Sequence, residues 1–504
     1  MLKPLVLGID LGTSSVKVIA VDQQGSIVTS SSEPISISQP QNGYSEQNPD
    51  EWVQATKQAI QTLTDQLDDS QYQIEGMSFS GQMHGLVLLD KENHPIRPAI
   101  LWNDTRNTEQ CDEIKAHFGD KLLGNPILEG FTLPKLLWVK AHEPQHFEKA
   151  KTFILPKDYV RYALTGKVQM EKSDASGTLL YNSESEAWDK ETSVYYELSH
   201  LLPELVNSTD VVGEVTETVA QELNLPTSTK VIAGGADNAC GALGAGIIGE
   251  GDAMCSIGTS GVVLVCQKDY SDYQNNIHYF KHVTPDISYA MGVTLAAGFS
   301  LDWYKCNFYA EQSFEDITKD AESSSPGANG LVFTPYLMGE RTPHGDAKIR
   351  GSFIGISGKQ TRADFSRAVI EGITYSLYES LDYIRQFYPA IHTITSIGGG
   401  AKSDFWLQLQ ADVFNLEVKK LKHEEGPSMG AAILAAYGVG WFDSLKDCVE
   451  TFIQYDTTFK PNTQKHKIYE RYFKVYQDVY QNTKQMTADL LSIQQNHGGY
   501  TDDK

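Results

Sequence analysis

The chain has 504 residues, enough for two large domains with cores of their own. Hydrophobic residues make up 40% and charged residues 21%, a globular composition that excludes a disordered or fibrous chain. The 41 Lys and Arg stand against 65 Asp and Glu, a net charge of −24 that repels phosphate backbones and anionic lipid, so neither nucleic acid nor a membrane surface is an expected partner. A small anionic ligand is still admitted, because backbone N–H groups and a metal ion can hold phosphate within a negative field. Six cysteines at 111, 240, 255, 266, 306 and 448 include no CxxC pair and are too sparse for a disulfide scaffold. The N-terminal MLKPLVLGID reaches Asp10 before a signal-like apolar stretch is complete, and no run of about 18 apolar residues occurs. The expected setting is the cytoplasm.

In chain order, LVLGID (5–10), GTSS (12–15) and VKVIAVD (16–22) read as strand, turn and strand. Asn48-Pro49-Asp50 opens a helix, with Asn48 as cap and Trp52, Ala55, Ala59, Ile60, Leu63 and Leu67 on one apolar face. IEGMSF is a strand running into Ser80-Gly81-Gln82-Met83-His84-Gly85. KLLWVKA reads as a helix ending near His142. The strand KVIA leads into Gly234-Gly235-Ala236-Asp237-Asn238 and a Gly/Ala-rich segment, 235–247. DAMCSI (252–257), GTSG (258–261) and VVLVC (262–266) then repeat the opening hairpin, and GPSMGAAILAAYG (426–438) repeats the Gly/Ala segment. Duplicated hairpins and small-residue helices imply two halves of like design, 1–247 and 248–504, meeting across a cleft. The polar stretch 318–330 reads as a surface loop. SIGGGAKSDFWLQLQADVF (396–414) runs from a strand through three glycines into a helix capped by Ser403, with Phe405, Leu409 and Val413 as its stripe.

Several of these turns can carry chemistry. The tip Asp10-Leu11-Gly12-Thr13-Ser14 converges N–H and O–H donors as phosphate requires, with an acid able to hold hydrated Mg²⁺ and Lys17 able to add positive charge. One such tip is matched by an ordinary tight turn, but a second copy at Gly258-Thr259-Ser260 favours two loops clamping one triphosphate. Gly398-Gly399-Gly400 fits an adenosine shelf beside them, and otherwise a plain strand-to-helix turn. Asp237, flanked by glycines at a strand end, can accept a hydroxyl proton or merely cap the following helix. Met83 and His84 could hold a neutral polyol, and Trp102-Asn103-Asp104-Thr105-Arg106 suits a sugar or a surface ion pair.

Two motif matches are rejected. His142-Glu143-Pro144-Gln145-His146 satisfies HExxH, but Pro144 breaks the helix that a zinc site needs. The GxGxxG match at 244–249 follows a Gly/Ala segment and precedes a strand, the reverse of a dinucleotide fingerprint.

Taken together, GIDLGTSSVK, FTLPKLLW (131–138), GGADNACGALG, SIGTSG, PYLMGERTP (335–343) and GGGAKSDFWLQLQADVF resemble the FGGY family of carbohydrate kinases over essentially the whole length. The resemblance implies an α/β fold of the two-domain, actin-like (ribonuclease H-like) ATPase type with a deep interdomain cleft. It implies ATP and Mg²⁺ as cofactors. SGQMHG (80–85) and ILWNDTR (100–106) resemble the members that convert D-xylulose to D-xylulose 5-phosphate in xylose catabolism. A gluconate or related ketose kinase, and a non-catalytic actin-like ATPase, are the alternatives. The family's proton acceptor falls on Asp237 and its metal-side acid on Asp10. Sugar contacts fall on Met83, His84 and Asn238, with Trp102 and Asp104 beside them. Phosphate contacts fall on Thr13, Ser14 and Thr259, beside the Lys17 and Gly258 read from the two turns, and nucleotide contacts on Gly399, Gly400 and Asp404. A homodimer stands as a candidate assembly.

Overall fold

A computed structural model describes residues 2–497 except 69, 269, 271, 272, 275, 310 and 389. The first half opens with β1 (Lys3–Leu11) and β2 (Ser15–Val21), joined at the Gly-Thr-Ser tip, and continues into β3 (Ile27–Pro34). Helix α1 (Pro49–Thr64) begins where Asn48 accepts a hydrogen bond from Asp50 N and Pro49 fills the first turn, where no N–H is needed. Leu67, expected on its apolar face, lies past its end. Next come β4 (Tyr72–Gly81), α2 (Thr132–His142) and α3 (Pro144–Lys149). The half closes with β5 (Val211–Glu214), β6 (Lys230–Ile232), β7 (Gly235–Ala236) and α4 (Asp237–Gly244). Its sheet runs β5-β6-β4-β1-β2-β3, with β7 also on β4.

The second half repeats the plan with β8 (Ala253–Ile257), β9 (Gly261–Gln267), β10 (His278–Lys281) and β11 (Ser288–Thr294). Helices α5 (Gly298–Phe308) and α6 (Phe314–Ser323) follow, then β12 (Thr393–Gly398), α7 (Asp404–Phe414), β13 (Glu417–Leu421), α8 (Pro427–Val439) and β14 (Tyr455–Phe459). The sheet order is β10-β11-β9-β8-β12-β13-β14. In each half the first strand pairs antiparallel with the second and parallel with a later one, β4 or β12. The repeated hairpins thus occupy equivalent places in two like sheets.

The Gly/Ala helices α4 and α8 press together as their composition requires. A Cβ on Gly430 would overlap the Cys240 carbonyl, and one on Gly244 would overlap the Gly426 carbonyl. Helix α8 also covers the first half's sheet, where a Cβ on Gly8 would overlap Ser428 O. Ile433 and Leu434 therefore share one buried core with Val6 and Leu7 of β1.

The structure corrects the reading of 318–330 as loop, since its first six residues complete α6. Ser313 and Asp316 form a capping box there, and Ile317 and Ala321 are its buried anchors. Pro144 does break the chain between α2 and α3, with Glu143 non-helical. His146 Nδ1 lies 2.8 Å from Glu143, while His142 Nδ1 meets Trp138 O, so the HExxH side chains are engaged locally. Among the described residues no helix is long and apolar enough to cross a membrane.

Candidate active site

The site follows from strand register. Asp10 of β1 lies opposite Ser80 of β4, and Ser80 lies opposite Gly235 of β7. All three strands are parallel, so Asp10 and the Asp237 that follows β7 emerge at one sheet edge, the carboxyl ends where α/β sheets bind ligands. Two strand spacings separate the backbones of Asp10 and Gly235 by roughly 10 Å. Gly234, with φ +85°, makes the turn into β7, and a Cβ there would overlap Phe79 O.

Burial raises Asp10 to about 6, offset in part by the Ser80 hydroxyl and Lys17. Burial and the nearby Asp10 charge raise Asp237 to about 7. Among the described residues Asp10 Oδ1 is buried without a hydrogen-bond partner, whereas Asp237 Oδ1 accepts from Asn238 N at 2.6 Å and Asn238 Nδ2 at 3.0 Å. Asp237 is the first residue of α4 and Ala236 its N-cap, so the carboxylate is not spent as a cap.

Asn238 Nδ2 also lies 3.7 Å from Met83 Sδ, which joins the Asp237 turn to the SGQMHG turn. His84 has φ +67°. Its Nδ1 is 2.6 Å from Gly177 O, which fixes the proton on Nδ1 and leaves Nε2 as an acceptor. Burial and the Lys135 charge keep the ring neutral, down to about 3. Lys135 Nζ and Thr132 Oγ1 both donate to His84 O and hold the strained turn.

Trp102 Nε1 donates to Thr13 Oγ1 at 3.1 Å, so the WNDTR loop touches the first hairpin tip. Asp104 is wholly buried, with Ser45 N at 2.6 Å and the Arg106 guanidinium on both oxygens. Arg106 is itself buried, over the Tyr44 ring at 3.7 Å. The Asp104–Arg106 pair is therefore internal rather than on the surface, and both Asp104 oxygens are already engaged. Lys17 Nζ is held 2.5 Å from Glu425, just before α8. Ser14 is exposed at the tip.

A cavity of about 730 Å³ brings the second hairpin and the glycine turn together. Gly258, Thr259, Gly298, Gly399, Gly400 and Ser403 line it. Gly298 N and Phe299 N donate to Gly258 O and Thr259 O, so the hairpin seats on the start of α5. Asp404 departs from its expected place: it does not line the cavity, and Lys420 Nζ holds it at 2.8 Å. Lys402 and Trp406, which line the cavity, were missed, although they flank Ser403 in the same segment.

Among the described residues no three His, Cys, Asp or Glu side chains form a metal cage. Mg²⁺ bound with a nucleotide needs only one or two carboxylates beside the phosphates, and the unpartnered Asp10 Oδ1 meets that requirement.

Residues 5–244 match the FGGY family of carbohydrate kinases, N-terminal domain, and residues 253–439 match its C-terminal domain. A protein of Staphylococcus epidermidis named xylulose kinase is 58% identical over 98% of this chain and 100% of its own. A solved "xyloylose kinase" from Brucella ovis superposes with a TM-score of 0.90 at 33% identity, covering 96% of this chain and 100% of that one. A gluconate kinase from Lactobacillus acidophilus has the same TM-score of 0.90 at 26% identity, covering 96% and 98%. The fold is the two-domain actin-like ATPase fold, and the chain belongs to the FGGY family of carbohydrate kinases.

Proposed function

We propose that the protein transfers the γ-phosphoryl group of ATP to the C5 hydroxyl of D-xylulose, with Asp237 as general base. The observation that carries this reading is the placement of Asp237: a carboxyl raised to about 7, between the Asn238–Met83 contact and the Asp10 edge. A base of that pKa is about half ionised at pH 7 and basic enough to accept an alcohol proton. The 58% identity to a xylulose kinase over 98% of this chain favours the ketose.

The sugar lies against Met83, His84 and Asn238. His84 Nε2, a lone-pair acceptor, takes a hydrogen bond from a sugar hydroxyl. Asp237 takes the proton of the terminal hydroxyl as that oxygen bonds to the γ-phosphorus and ADP departs. General-base help is worth about 10²–10⁴-fold, so positioning and charge neutralisation carry the larger share. Thr13, Ser14 and Lys17 of the first hairpin face the phosphates with Gly258 and Thr259 of the second, and Gly399 and Gly400 support the adenosine. Asp10 is the residue that would hold Mg²⁺, which when bound neutralises phosphate charge. The two halves divide near residue 247, and their closure on the sugar excludes water from the reaction. We place the reaction in the cytoplasm, where the exposed Cys306 thiol stays reduced.

The test is ADP release measured across D-xylulose, L-xylulose, D-ribulose, L-ribulose, gluconate and glycerol. D-xylulose is expected to have the highest kcat/KM, and preference for any other sugar would overturn the substrate.

A further inference from the structure

Every sugar contact read from the sequence lies in the first half, yet the His84 turn also packs against a strand of the second. Strand β10 is the outer strand of the second sheet and pairs only with β11 on one side. Its other edge is bound to the first half. Asn125 Oδ1 accepts from Tyr279 N at 2.8 Å, and Asn125 Nδ2 donates to Tyr279 O at 2.8 Å, so one amide side chain imitates a neighbouring strand. Lys281 N donates to Ser176 Oγ at 3.0 Å, next to the Gly177 that fixes His84.

Side chains alternate along a strand, so His278 and Phe280 share the face opposite to Tyr279 and Lys281. That face meets the sugar turn. The Phe280 ring is 5.8 Å from His84, and Phe131 is 4.8 Å from His84 and 5.9 Å from His278. His278 stacks on Phe280 at 5.9 Å. His278 is 6% exposed, and its Nδ1 is buried with no hydrogen-bond partner among the described residues. Buried polar atoms are almost always paired, so an unpaired one in this ring cluster beside the His84 turn is a candidate for pairing with a ligand group. Burial and the Arg341 charge hold the imidazole neutral, which suits a hydroxyl rather than an anion.

We propose that His278, contributed by the second half, hydrogen-bonds a hydroxyl of the bound ketose and is a specificity-determining residue. The inference rests on the ketose-kinase reading above. Because β10 belongs to the second sheet, the contact also ties sugar recognition to the seating of one half on the other.

The experiment compares the parent with His278→Phe, which keeps a ring and removes both nitrogens, and His278→Gln, which keeps a polar amide. Each is assayed with D-xylulose, its epimer D-ribulose and singly deoxygenated D-xylulose analogues, alongside KM for ATP and sugar-independent ATP hydrolysis. For His278→Phe, kcat/KM for D-xylulose is expected to fall about tenfold, mainly through KM, the effect of one neutral hydrogen bond. One deoxy analogue should show no such fall, KM for ATP and sugar-independent hydrolysis should stay within about twofold, and His278→Gln should recover part of the loss. In the parent, the ¹⁵N resonance of His278 Nδ1 should shift on adding D-xylulose, a readout that needs no variant to fold. Equal losses on every analogue, loss of sugar-independent hydrolysis in step, or an unmoved Nδ1 resonance would overturn the inference. A parent that phosphorylates D-xylulose while His278→Phe is unimpaired overturns this inference alone. A parent inactive on D-xylulose overturns the kinase reading and this inference with it.

Discussion

The raised carboxyl of Asp237 has a direct kinetic consequence. With its midpoint at about 7, set first by burial and then by Asp10, only the ionised fraction can accept the sugar proton. At pH 5 that fraction is about one in a hundred, whereas a carboxyl at the ordinary 3.8 would be more than nine-tenths ionised. Acidification should therefore lower kcat/KM for D-xylulose about tenfold per pH unit below 7, and about 100-fold in all between pH 8 and pH 5. The assay is initial-rate ADP release at fixed ionic strength, with the coupling enzymes shown to be in excess at each pH. A profile flat from pH 5 to 7, with its break near pH 4, would refute the argument that burial and Asp10 tune this base.

The same carboxyl leaves a mark on stability. Its folded-state value is raised, so its contribution is fully present below pH 4 and is lost as pH rises through about 7. Denaturation of Asp237→Asn beside the parent should show the variant's relative stability increasing by about 2.6 kcal/mol between pH 5 and pH 8. Gly430→Ala forces a Cβ into the Cys240 carbonyl, and calorimetry should show a loss of about 1–3 kcal/mol or more. Lys157 is wholly buried and within 3.5 Å of Asp158, Glu171 and Asp174. Lys157→Met leaves those acids without it and should cost about 3–5 kcal/mol, seen as a lower Tm. Small-angle scattering should show a smaller radius of gyration with D-xylulose and nucleotide than without them; an unchanged radius would count against closure.

The hairpins were legible because their chemistry is local. Buried strands such as LVLGID announce themselves by apolar runs, and Gly-Thr-Ser marks each tip, so β1, β2, β8 and β9 fall where the sequence puts them. Helix α6 was not legible, because only Ile317 and Ala321 are buried and its polar composition imitates a loop. The glycines of α8 announced close packing but not that Gly8 and Cys240 would be the neighbours, which depends on chain connections no window reveals. The family resemblance puts a nucleotide contact on Asp404, yet at the start of α7 its side chain meets Lys420 of β13. Asp104 shows a similar limit, since sequence cannot tell a carboxylate free for a hydroxyl from one neutralised by Arg106. His278 was overlooked because its alternation with Tyr279 and Lys281 acquires meaning only once β10 lies against His84 and Phe131.

The measurement that bears most directly on the central claim is turnover by Asp237→Ala together with its affinity for nucleotide. Phosphorylation of D-xylulose should fall by at least about 10²-fold, the lower bound for a lost general base, while nucleotide binding by calorimetry stays within a few fold. Near-parent turnover by a variant that still binds nucleotide would contradict the assignment of Asp237 as the acceptor of the sugar's proton.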